Sequence, residues 1–369
     1  MQKKTKSGSE ISAEPANWSA NDFFPDIESV PEKFRQKGGV SITETLVNGP
    51  LLEAFQKAFP AGVINIIFGR GRDTIGPLMK SGKVDMFAFI GTHSGASALK
   101  QMHPKPHRLK AVLGLDANNP AIVLADADLD LAVSECVAGA LSFNGQRCTA
   151  LKLLLVHESL ADEFVARVSK AVDNLVAGMP WQPNVALTPL PEPGKIDYLK
   201  ALVSDAQALG ARVTNTGGGQ ANGTYFHPAV LYPVTTKMRA HQEEQFGPVI
   251  PVVAFSDESE VIRHVRESEF GQQLSIFGSD PAAIGGLIDV LANQVGRINL
   301  NSQCQRGPDT LPFNGRKNSA EGTLSVSDAL RVFSIRTTIA AKSSESNRDL
   351  VTSIVRERHS RTLTTDYLF

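Results

Sequence analysis

The stretch PAIVLADADLDLAVSECVAGALSFNGQRCTALKLLLVH, residues 120–157, decides the fold. PAIVLA at its start and LKLLLVH at its end are short apolar runs of the kind that form buried strands. Between them, apolar residues recur at helical spacing, at Leu129, Val133, Cys136, Val137, Ala140 and Leu141. A strand, a helix and a second strand in this order predict a βαβ unit with parallel strands.

The same alternation runs along most of the chain and predicts an α/β fold with a mainly parallel sheet. Helices are predicted over 73–80, from Gly91 onward, over 160–176 and over 197–209. Strands are predicted for 62–68, 84–90, 108–115, 228–234, 249–255, 274–279, 295–301 and, late in the chain, Val332 to Lys342. Residues 1–40 lack a sustained apolar period, so we expect a poorly ordered leader there.

The charge balance and the cysteine count narrow the classes of function. The 369 residues carry 37 Lys and Arg against 38 Asp and Glu, without the basic excess that nucleic-acid or membrane-surface binding needs. No apolar run is long enough to cross a bilayer, and the N-terminus lacks the apolar stretch of a secretory signal. Three cysteines without a Cys-x-x-Cys spacing predict neither a disulfide framework nor a zinc site. We therefore expect a cytoplasmic protein without nucleic-acid or membrane partners.

Cys148 is the candidate nucleophile. It follows the turn Phe143-Asn144-Gly145-Gln146-Arg147, which connects the predicted helix to the strand at 151–157. An exposed turn and a neighbouring cation, here Arg147, are conditions under which a cysteine becomes reactive. The residues alone leave a second interpretation open, a buried cysteine that packs as a small apolar side chain.

Four stretches resemble, in the same order, motifs of the aldehyde dehydrogenase superfamily. NPAIVLADADLDLA at 119–132 is similar to the strand and helix before the nucleophile, and Phe-x-Gly-Gln-Arg-Cys-Thr at 143–149 to the nucleophile motif. EEQFGPVIPV at 243–252 resembles the cofactor motif Glu-x-Phe-Gly-Pro, and LPFNGRKNS at 311–319 resembles the Pro-Phe-x-Gly-x-Lys motif. Four motifs in one order are far more specific than any one of them.

The resemblance extends from about Gly49 to Lys342, and QRGPD at 305–309 adds a likeness to the non-phosphorylating, NADP-dependent glyceraldehyde-3-phosphate dehydrogenases. It implies the aldehyde dehydrogenase fold, with a partial Rossmann-like, dinucleotide-binding domain at 41–146, an α/β catalytic domain at 147–323 and a C-terminal strand and tail at 324–369.

The resemblance also implies a reaction. In this family a cysteine thiolate attacks an aldehyde to give a thiohemiacetal, a hydride passes to the nicotinamide, and the resulting thioester is hydrolysed. For this chain it implies oxidation of glyceraldehyde 3-phosphate to 3-phosphoglycerate with NADP, with NAD as the alternative cofactor. The resemblance is also compatible with a homo-oligomer.

Further site residues are carried over from the matched motifs. Arg147 and Arg306 are candidates for holding the substrate phosphate because a guanidinium fork fits its geometry, with a surface ion pair as the alternative for each. Glu244 is expected to accept hydrogen bonds from the nicotinamide ribose hydroxyls, and Phe246 to pack beneath that ribose.

Two glycine turns are candidates for the cofactor pyrophosphate. Ile90-Gly91-Thr92 lies where a predicted strand ends and a helix begins, and a helix N-terminus offers free N–H groups and a positive dipole to an anion. We favour Gly91 and Thr92 over the turn GRGR at 69–72. Short loops generally need glycine, so a lone glycine turn such as GRGR is weak evidence for a phosphate site.

The general base departs from the usual family pattern. Gly114 stands where most members carry the glutamate that activates the hydrolytic water, and Asp116, two residues later, is the nearby carboxylate. Residues two apart on a strand point to the same face, so Asp116 is a candidate replacement. An aspartate that caps the next turn is the alternative.

The resemblance begins after the family's N-terminal portion, so we expect an N-terminally truncated member. That portion supplies the first strands of the cofactor domain and an oxyanion-hole asparagine, and without it we expect weak NADP binding and slow turnover. A catalytically inactive member that serves as an interaction subunit, or an incomplete gene product, is the alternative. A thiol redox sensor is less favoured, because no second cysteine lies close to Cys148 in sequence.

Overall fold

The computed structural model describes residues 51–361 and residue 363, except positions 68, 326, 327, 329, 330 and 336. The leader predicted for residues 1–40 lies outside the described residues. The chain divides into two compact units, one ending at Val326 and the other beginning at Ser327.

The elements alternate along the first unit as the sequence predicts. Residues 51–58 are helical. The α-helices that follow include α1 Gly71–Lys80, α2 His93–Met102, α3 Leu129–Leu141, α4 Glu158–Asp173, α5 Pro193–Ala208, α6 Arg239–Gln242, α7 Glu258–Glu267, α8 Pro281–Leu291 and, in the second unit, α9 Glu345–Arg356. The strands are β1 Met86–Ile90, β2 Lys110–Gly114, β3 Asn119–Val123, β4 Leu151–His157, β5 Arg212–Val213, β6 Ala221–Asn222, β7 Tyr225–Phe226, β8 Ala229–Tyr232, β9 Val249–Phe255, β10 Phe270–Gly271, β11 Gln273–Phe277, β12 Arg297–Leu300, β13 Arg316–Lys317 and β14 Ala320–Glu321.

Seven strands form the main sheet, in the order β12-β11-β3-β4-β9-β8-β5. Every neighbouring pair in it is parallel except β5 with β8, at one edge. The predicted βαβ unit of residues 120–157 is β3, α3 and β4, with β3 paired parallel to β4. The α/β class and the mainly parallel sheet are therefore confirmed.

Helices cover both faces of the main sheet. On one face α3 and α4 bury Cys136 and Phe164 in the same cluster as Leu154 of β4. On the other face α7 and α8 pack with Leu155, the next residue of that strand. Successive strand residues point to opposite faces, so a sheet covered on both sides needs apolar residues throughout. This is why LKLLLVH reads as an almost continuous apolar run.

A smaller sheet has the order β1-β2-β14, with β1 parallel and β14 antiparallel to β2. Its core joins Met79 of α1 and Ala96 of α2 to strand residues Phe87 and Leu113. The chain passes from this sheet to the main one within residues 115–118, between β2 and β3. The predicted division after residue 146 instead groups β3 and α3 with the cofactor domain, although β3 is hydrogen-bonded to β4 and β11 of the main sheet.

Two predicted strands are wrong in the described residues. In the run 62–68, residues 62–67 form no strand, and Val63 and Ile67 are exposed. The late strand from Val332 to Lys342 is likewise missing at 332–335 and 337–342. A strand needs a neighbour for its ladder hydrogen bonds. Neither run has one among the described residues, so its β-branched composition does not decide its structure.

The second unit contains helix α9, whose first turn is capped by Ser344. The Ser344 hydroxyl accepts a hydrogen bond from the Asn347 N–H at 3.2 Å, the usual role of a serine at this position. In the described parts of both units, no helix has the length and apolarity needed to span a membrane.

Candidate active site

A cavity of about 1160 Å³ lies within the first unit. Its wall includes the last residues of β1 and β2, the residues that follow them, Cys148, residues 241–244 and Phe246. Six of the eight predicted site residues line it, namely Gly91, Thr92, Asp116, Cys148, Glu244 and Phe246. The structure thus brings the proposed nucleophile, base and cofactor contacts to one cavity, although they lie more than 150 positions apart at the extremes.

The turn that presents Cys148, residues 143–148, is called the cysteine turn below. Three of its residues adopt left-handed backbone conformations, with φ of 55° at Phe143, 56° at Asn144 and 70° at Gly145. Asn144 is fixed from outside the turn, because its amide oxygen accepts from the Thr188 N–H at 2.9 Å and its amide nitrogen donates to the Thr188 hydroxyl at 2.8 Å. These bonds hold a backbone shape that few residues adopt alone.

Asn119, at the start of β3, anchors the other end of the turn. Its side-chain nitrogen donates to the carbonyl oxygens of Cys148 at 2.7 Å and Ala150 at 3.0 Å. Its side-chain oxygen accepts from the Gln273 N–H at 3.0 Å. The buried side-chain amide of Asn119 in β3 therefore links the end of the cysteine turn, just before β4, to Gln273 of β11.

The three cysteines differ in exposure. Cys148 is half-buried, whereas Cys136 and Cys304 are buried. Burial raises the pKa of Cys304 to about 12 and that of Cys136 still further, because a thiolate loses its hydration in the core.

We expect iodoacetamide to label Cys148 before Cys136 and Cys304 in the native protein. The thiolate is the reacting species, and both core thiols are sterically covered and disfavoured as anions. Mass mapping of peptides after limited treatment measures the order of labelling. Earlier labelling of either core cysteine would contradict the assignment of the nucleophile.

Glu244 is a buried carboxyl with an unsatisfied oxygen. Its Oε1 atom is buried and has no hydrogen-bond partner among the described residues. It lies 4.0 Å from Nζ of Lys152, whose side chain is 2% exposed. Burial raises the pKa of Glu244 to about 7, and the Lys152 charge opposes this rise. The segment is held in place by Tyr198, whose hydroxyl donates to the Glu244 carbonyl at 3.1 Å.

Asp116 is bound to the first residue of α2. Its Oδ2 atom accepts from the His93 N–H at 2.6 Å and lies 2.8 Å from the His93 Nδ1 atom. Thr92 is the N-cap of the same helix and accepts from the Gly95 N–H at 3.1 Å. Asp116 thus caps the N-terminus of α2, 23 positions earlier in the chain, rather than a turn of its own loop. The helix N-terminus expected to be free for a pyrophosphate therefore already holds a carboxylate.

The two predicted phosphate-binding arginines do not line the cavity. Nη2 of Arg147 donates to the Gly139 carbonyl at 3.1 Å and to Oε1 of Gln303 at 2.9 Å. Arg306 is exposed and lies 3.9 Å from Asp309 in a surface ion pair. The structure therefore places neither guanidinium with Cys148 at the cavity wall. For Arg306 it shows the surface ion pair that the sequence analysis gave as the alternative.

Sequence reasoning missed three residues of the site, namely His93, Asn119 and Lys152. Lys152 had a detectable signal, because it is the one cation inside the apolar strand run LKLLLVH. A polar side chain inside such a run must find a partner or it destabilises the fold. His93 and Asn119 had no such signal, since their partners lie 23 and 29 positions away.

Comparison with known proteins assigns the chain to a family. The family model for the aldehyde dehydrogenase family matches residues 41–339. The NADP-dependent glyceraldehyde-3-phosphate dehydrogenase of Streptococcus equinus is 38% identical over 291 residues, covering 77% of this chain and 58% of that protein. The same-named enzyme of Arabidopsis thaliana is 34% identical over 282 residues, covering 76% of this chain and 55% of that protein. The chain thus spans little more than half the length of these relatives.

Solved structures give the same result. The NADP-dependent glyceraldehyde-3-phosphate dehydrogenase of Bacillus halodurans C-125, complexed with NADP, superposes with a TM-score of 0.73 at 33% identity, covering 79% of this chain and 60% of that one. A glyceraldehyde-3-phosphate dehydrogenase of Methanocaldococcus jannaschii DSM 2661, also complexed with NADP, gives 0.74 at 28% identity, covering 82% and 64%. The fold and the resemblance to this group are confirmed, and the chain belongs to the aldehyde dehydrogenase family.

Proposed function

We propose that this chain oxidises an aldehyde through Cys148 with NADP as the hydride acceptor, and that glyceraldehyde 3-phosphate is the substrate. The observation that carries the proposal is the shared cavity, whose wall includes Cys148, Glu244, Phe246 and the N-terminus of α2. The NADP-dependent glyceraldehyde-3-phosphate dehydrogenases to which the chain is similar support the choice of cofactor and aldehyde.

The cavity residues fit a dinucleotide at its ribose. The buried Glu244 Oε1 atom lacks a donor among the described residues, and a ribose hydroxyl supplies one. Phe246, beside it, offers an apolar surface at the cavity wall. Both contacts would be made to the nicotinamide ribose, which NADP and NAD share, so NAD is the alternative cofactor. The preference for NADP rests on the NADP-dependent enzymes to which the chain is similar.

The pyrophosphate would meet Gly91, Thr92 and the first turn of α2. Its binding there requires Asp116 to release the His93 N–H, since an anion already occupies that donor. The released carboxylate would then be free to take a proton from water, which reconciles the capping geometry of Asp116 with its proposed role as base. His93, hydrogen-bonded to the same carboxylate through Nδ1, would keep it within the cavity.

Cys148 carries the covalent chemistry in this proposal. Its thiolate adds to the aldehyde carbon, and a C–S bond forms while the carbonyl oxygen becomes a thiohemiacetal oxyanion. Loss of a hydride from the thiohemiacetal carbon, for which bound NADP would be the acceptor, would restore the C=O bond and leave a thioester on Cys148. Water that loses a proton to Asp116 would then form a C–O bond at the thioester carbon, and cleavage of the C–S bond would release the acid and restore the thiolate.

Reduction of NADP by the purified 369-residue chain tests the proposal. We expect absorbance of the reduced cofactor to rise when glyceraldehyde 3-phosphate is added, and to stay flat with Cys148→Ser. A folded chain that reduces neither NADP nor NAD with this aldehyde or with unphosphorylated glyceraldehyde would contradict the proposal and favour an inactive interaction subunit. Sedimentation of the same sample measures whether the chain forms a homo-oligomer, with which the resemblance is compatible.

Arg306 remains our proposed phosphate contact although its guanidinium lies beside Asp309 and outside the cavity wall, so Arg306→Ala should impair oxidation of phosphorylated aldehydes more than that of plain ones. Loss of a charge-assisted hydrogen bond worth about 1.5–3 kcal/mol weakens binding about tenfold to a hundredfold. The measurement is kcat/KM for glyceraldehyde 3-phosphate and for glyceraldehyde in the variant and the unaltered chain. Asp309→Ala serves as the control, because it removes only the surface partner of Arg306. Equal losses on both substrates would exclude the phosphate role.

A further inference from the structure

Lys152 is a buried cation that the proposed chemistry does not use. It lies in β4, four residues after Cys148, and only 2% of its side chain is exposed. An ammonium group taken out of water costs free energy unless neighbouring groups compensate it. Its surroundings therefore need explanation, because the other residues of LKLLLVH are apolar apart from His157 at the end.

The contacts of Lys152 join two parts of the site. Its Nζ atom donates to the Gly145 carbonyl in the cysteine turn at 2.8 Å. The same atom lies 4.0 Å from the Glu244 Oε1 atom and 5.2 Å from the centre of the Phe246 ring. One ammonium group thus reaches both the turn that presents the nucleophile and the two residues proposed to bind the ribose.

The two parts also touch through their backbones. A Cβ atom placed on Gly145 would lie 2.6 Å from the Gly247 carbonyl oxygen, so the cysteine turn approaches the 244–247 segment too closely for a side chain. A displacement of one part therefore displaces the other. Lys152 bridges this contact on its buried side, and its own carbonyl accepts from Nε2 of Gln245 at 3.0 Å.

Four charged or titratable groups act on the Lys152 ammonium. Glu244 and Cys148 favour its charged form, whereas Lys195 and Arg147 oppose it. Burial lowers the pKa of Lys152 to about 8, and the neighbouring carboxylate limits the fall. Removing the Glu244 carboxylate would therefore lower the pKa of Lys152 further.

We propose that Lys152 is a positioning residue that fixes the cysteine turn through the Gly145 carbonyl and sets its buried positive charge opposite the Glu244 carboxyl. The proposal rests on the proposed function only for the role of Cys148 as the nucleophile. The hydrogen bond sets where the sulfur is presented. The charge favours the ionised form of the Glu244 carboxyl, so the presentation of the nucleophile and the state of the ribose-binding carboxylate depend on one side chain.

The rate of Cys148 alkylation by iodoacetamide tests the proposal, and it needs neither cofactor nor aldehyde. We expect Lys152→Met to lower the rate about tenfold, the factor that corresponds to one lost hydrogen bond, because the donor that holds the Gly145 carbonyl is removed. Lys152→Gln keeps a donor for that carbonyl and should recover most of the rate. Glu244→Gln should leave the rate nearly unchanged, because a lysine that has lost its proton still donates to the Gly145 carbonyl. Lys200→Met, which removes an exposed cation from α5, should also leave the rate unchanged.

Recovery of the rate in Lys152→Gln separates positioning of the turn from a general loss of structure, since a variant that only loosens the fold is not rescued by another polar side chain. If the methionine variant does not fold, Lys152→Ala takes its place in the comparison. A rate for Lys152→Met equal to that of the unaltered chain, or a loss in Lys152→Gln as large as in Lys152→Met, would overturn the proposal. A chain that binds no NADP would contradict the proposed function while leaving this result intact.

Discussion

Gly145→Ala is expected to destabilise the protein by about 2–5 kcal/mol and to remove most of the selective alkylation of Cys148. Gly145 has a φ of 70°, in a region that costs an alanine about 1–2 kcal/mol. The added Cβ would also lie 2.6 Å from the Gly247 carbonyl oxygen and 2.7 Å from that of Ala140. Both are backbone atoms that cannot rotate away, and overpacking of this kind costs about 1–3 kcal/mol more.

Urea unfolding and the alkylation rate of Cys148 measure the two parts of this prediction. Gly285→Ala in α8 is the matched control, because no atom lies within 4 Å of the Cβ it would add. The control should be neutral or stabilising by up to about 1 kcal/mol, since alanine favours a helix over glycine. An unfolding midpoint for Gly145→Ala equal to that of the control would show that the cysteine turn is not held as tightly as its contacts indicate.

Cys148→Ser should reduce aldehyde oxidation by about 10³-fold or more. A hydroxyl is a weak nucleophile near neutral pH unless a base activates it, and removal of a nucleophile alone is among the largest single effects in enzyme kinetics. In the described part of the chain, the hydrogen bond to residue 148 comes from the Asn119 side chain to its backbone carbonyl, which does not activate a serine hydroxyl. The measurement is the initial rate of NADP reduction with glyceraldehyde 3-phosphate.

Cys136→Ala is the control for that variant, because it removes a buried thiol from α3 without touching the cavity wall. It should retain most of the rate at a temperature where it stays folded. Comparable rates for Cys148→Ser and the unaltered chain would remove the cysteine from the mechanism.

The parts of the fold that depend on local pattern were predictable from sequence. The residues of β3, α3 and β4 are adjacent in the chain, and their periodicity specifies the unit without reference to anything else. The run 62–68 has an equally good strand composition, yet its residues 62–67 have no neighbour to pair with. Strand composition describes a residue's fit to a sheet, whereas the existence of the strand depends on a partner far away in sequence.

The site divides in the same way. Cys148, Glu244 and Phe246 belong to motifs, so the sequence alone could identify them as site residues. The direction of the Arg147 side chain was not, because it is set by the Gly139 carbonyl and by Gln303, which lies 156 positions away. The bond between Asp116 and His93 was equally hidden, since either role of that aspartate suits its place after β2. Long-range partners decide which polar groups remain free to act.

The acyl state of Cys148 during turnover tests the central claim most directly. The purified chain is mixed with NADP and glyceraldehyde 3-phosphate, quenched with acid within the first turnover, digested and examined by mass spectrometry. We predict that the peptide containing Cys148 carries the 3-phosphoglyceroyl group as a thioester, and that this adduct is absent when NADP is omitted. An unmodified Cys148 peptide, or the same group on another residue, would contradict the account.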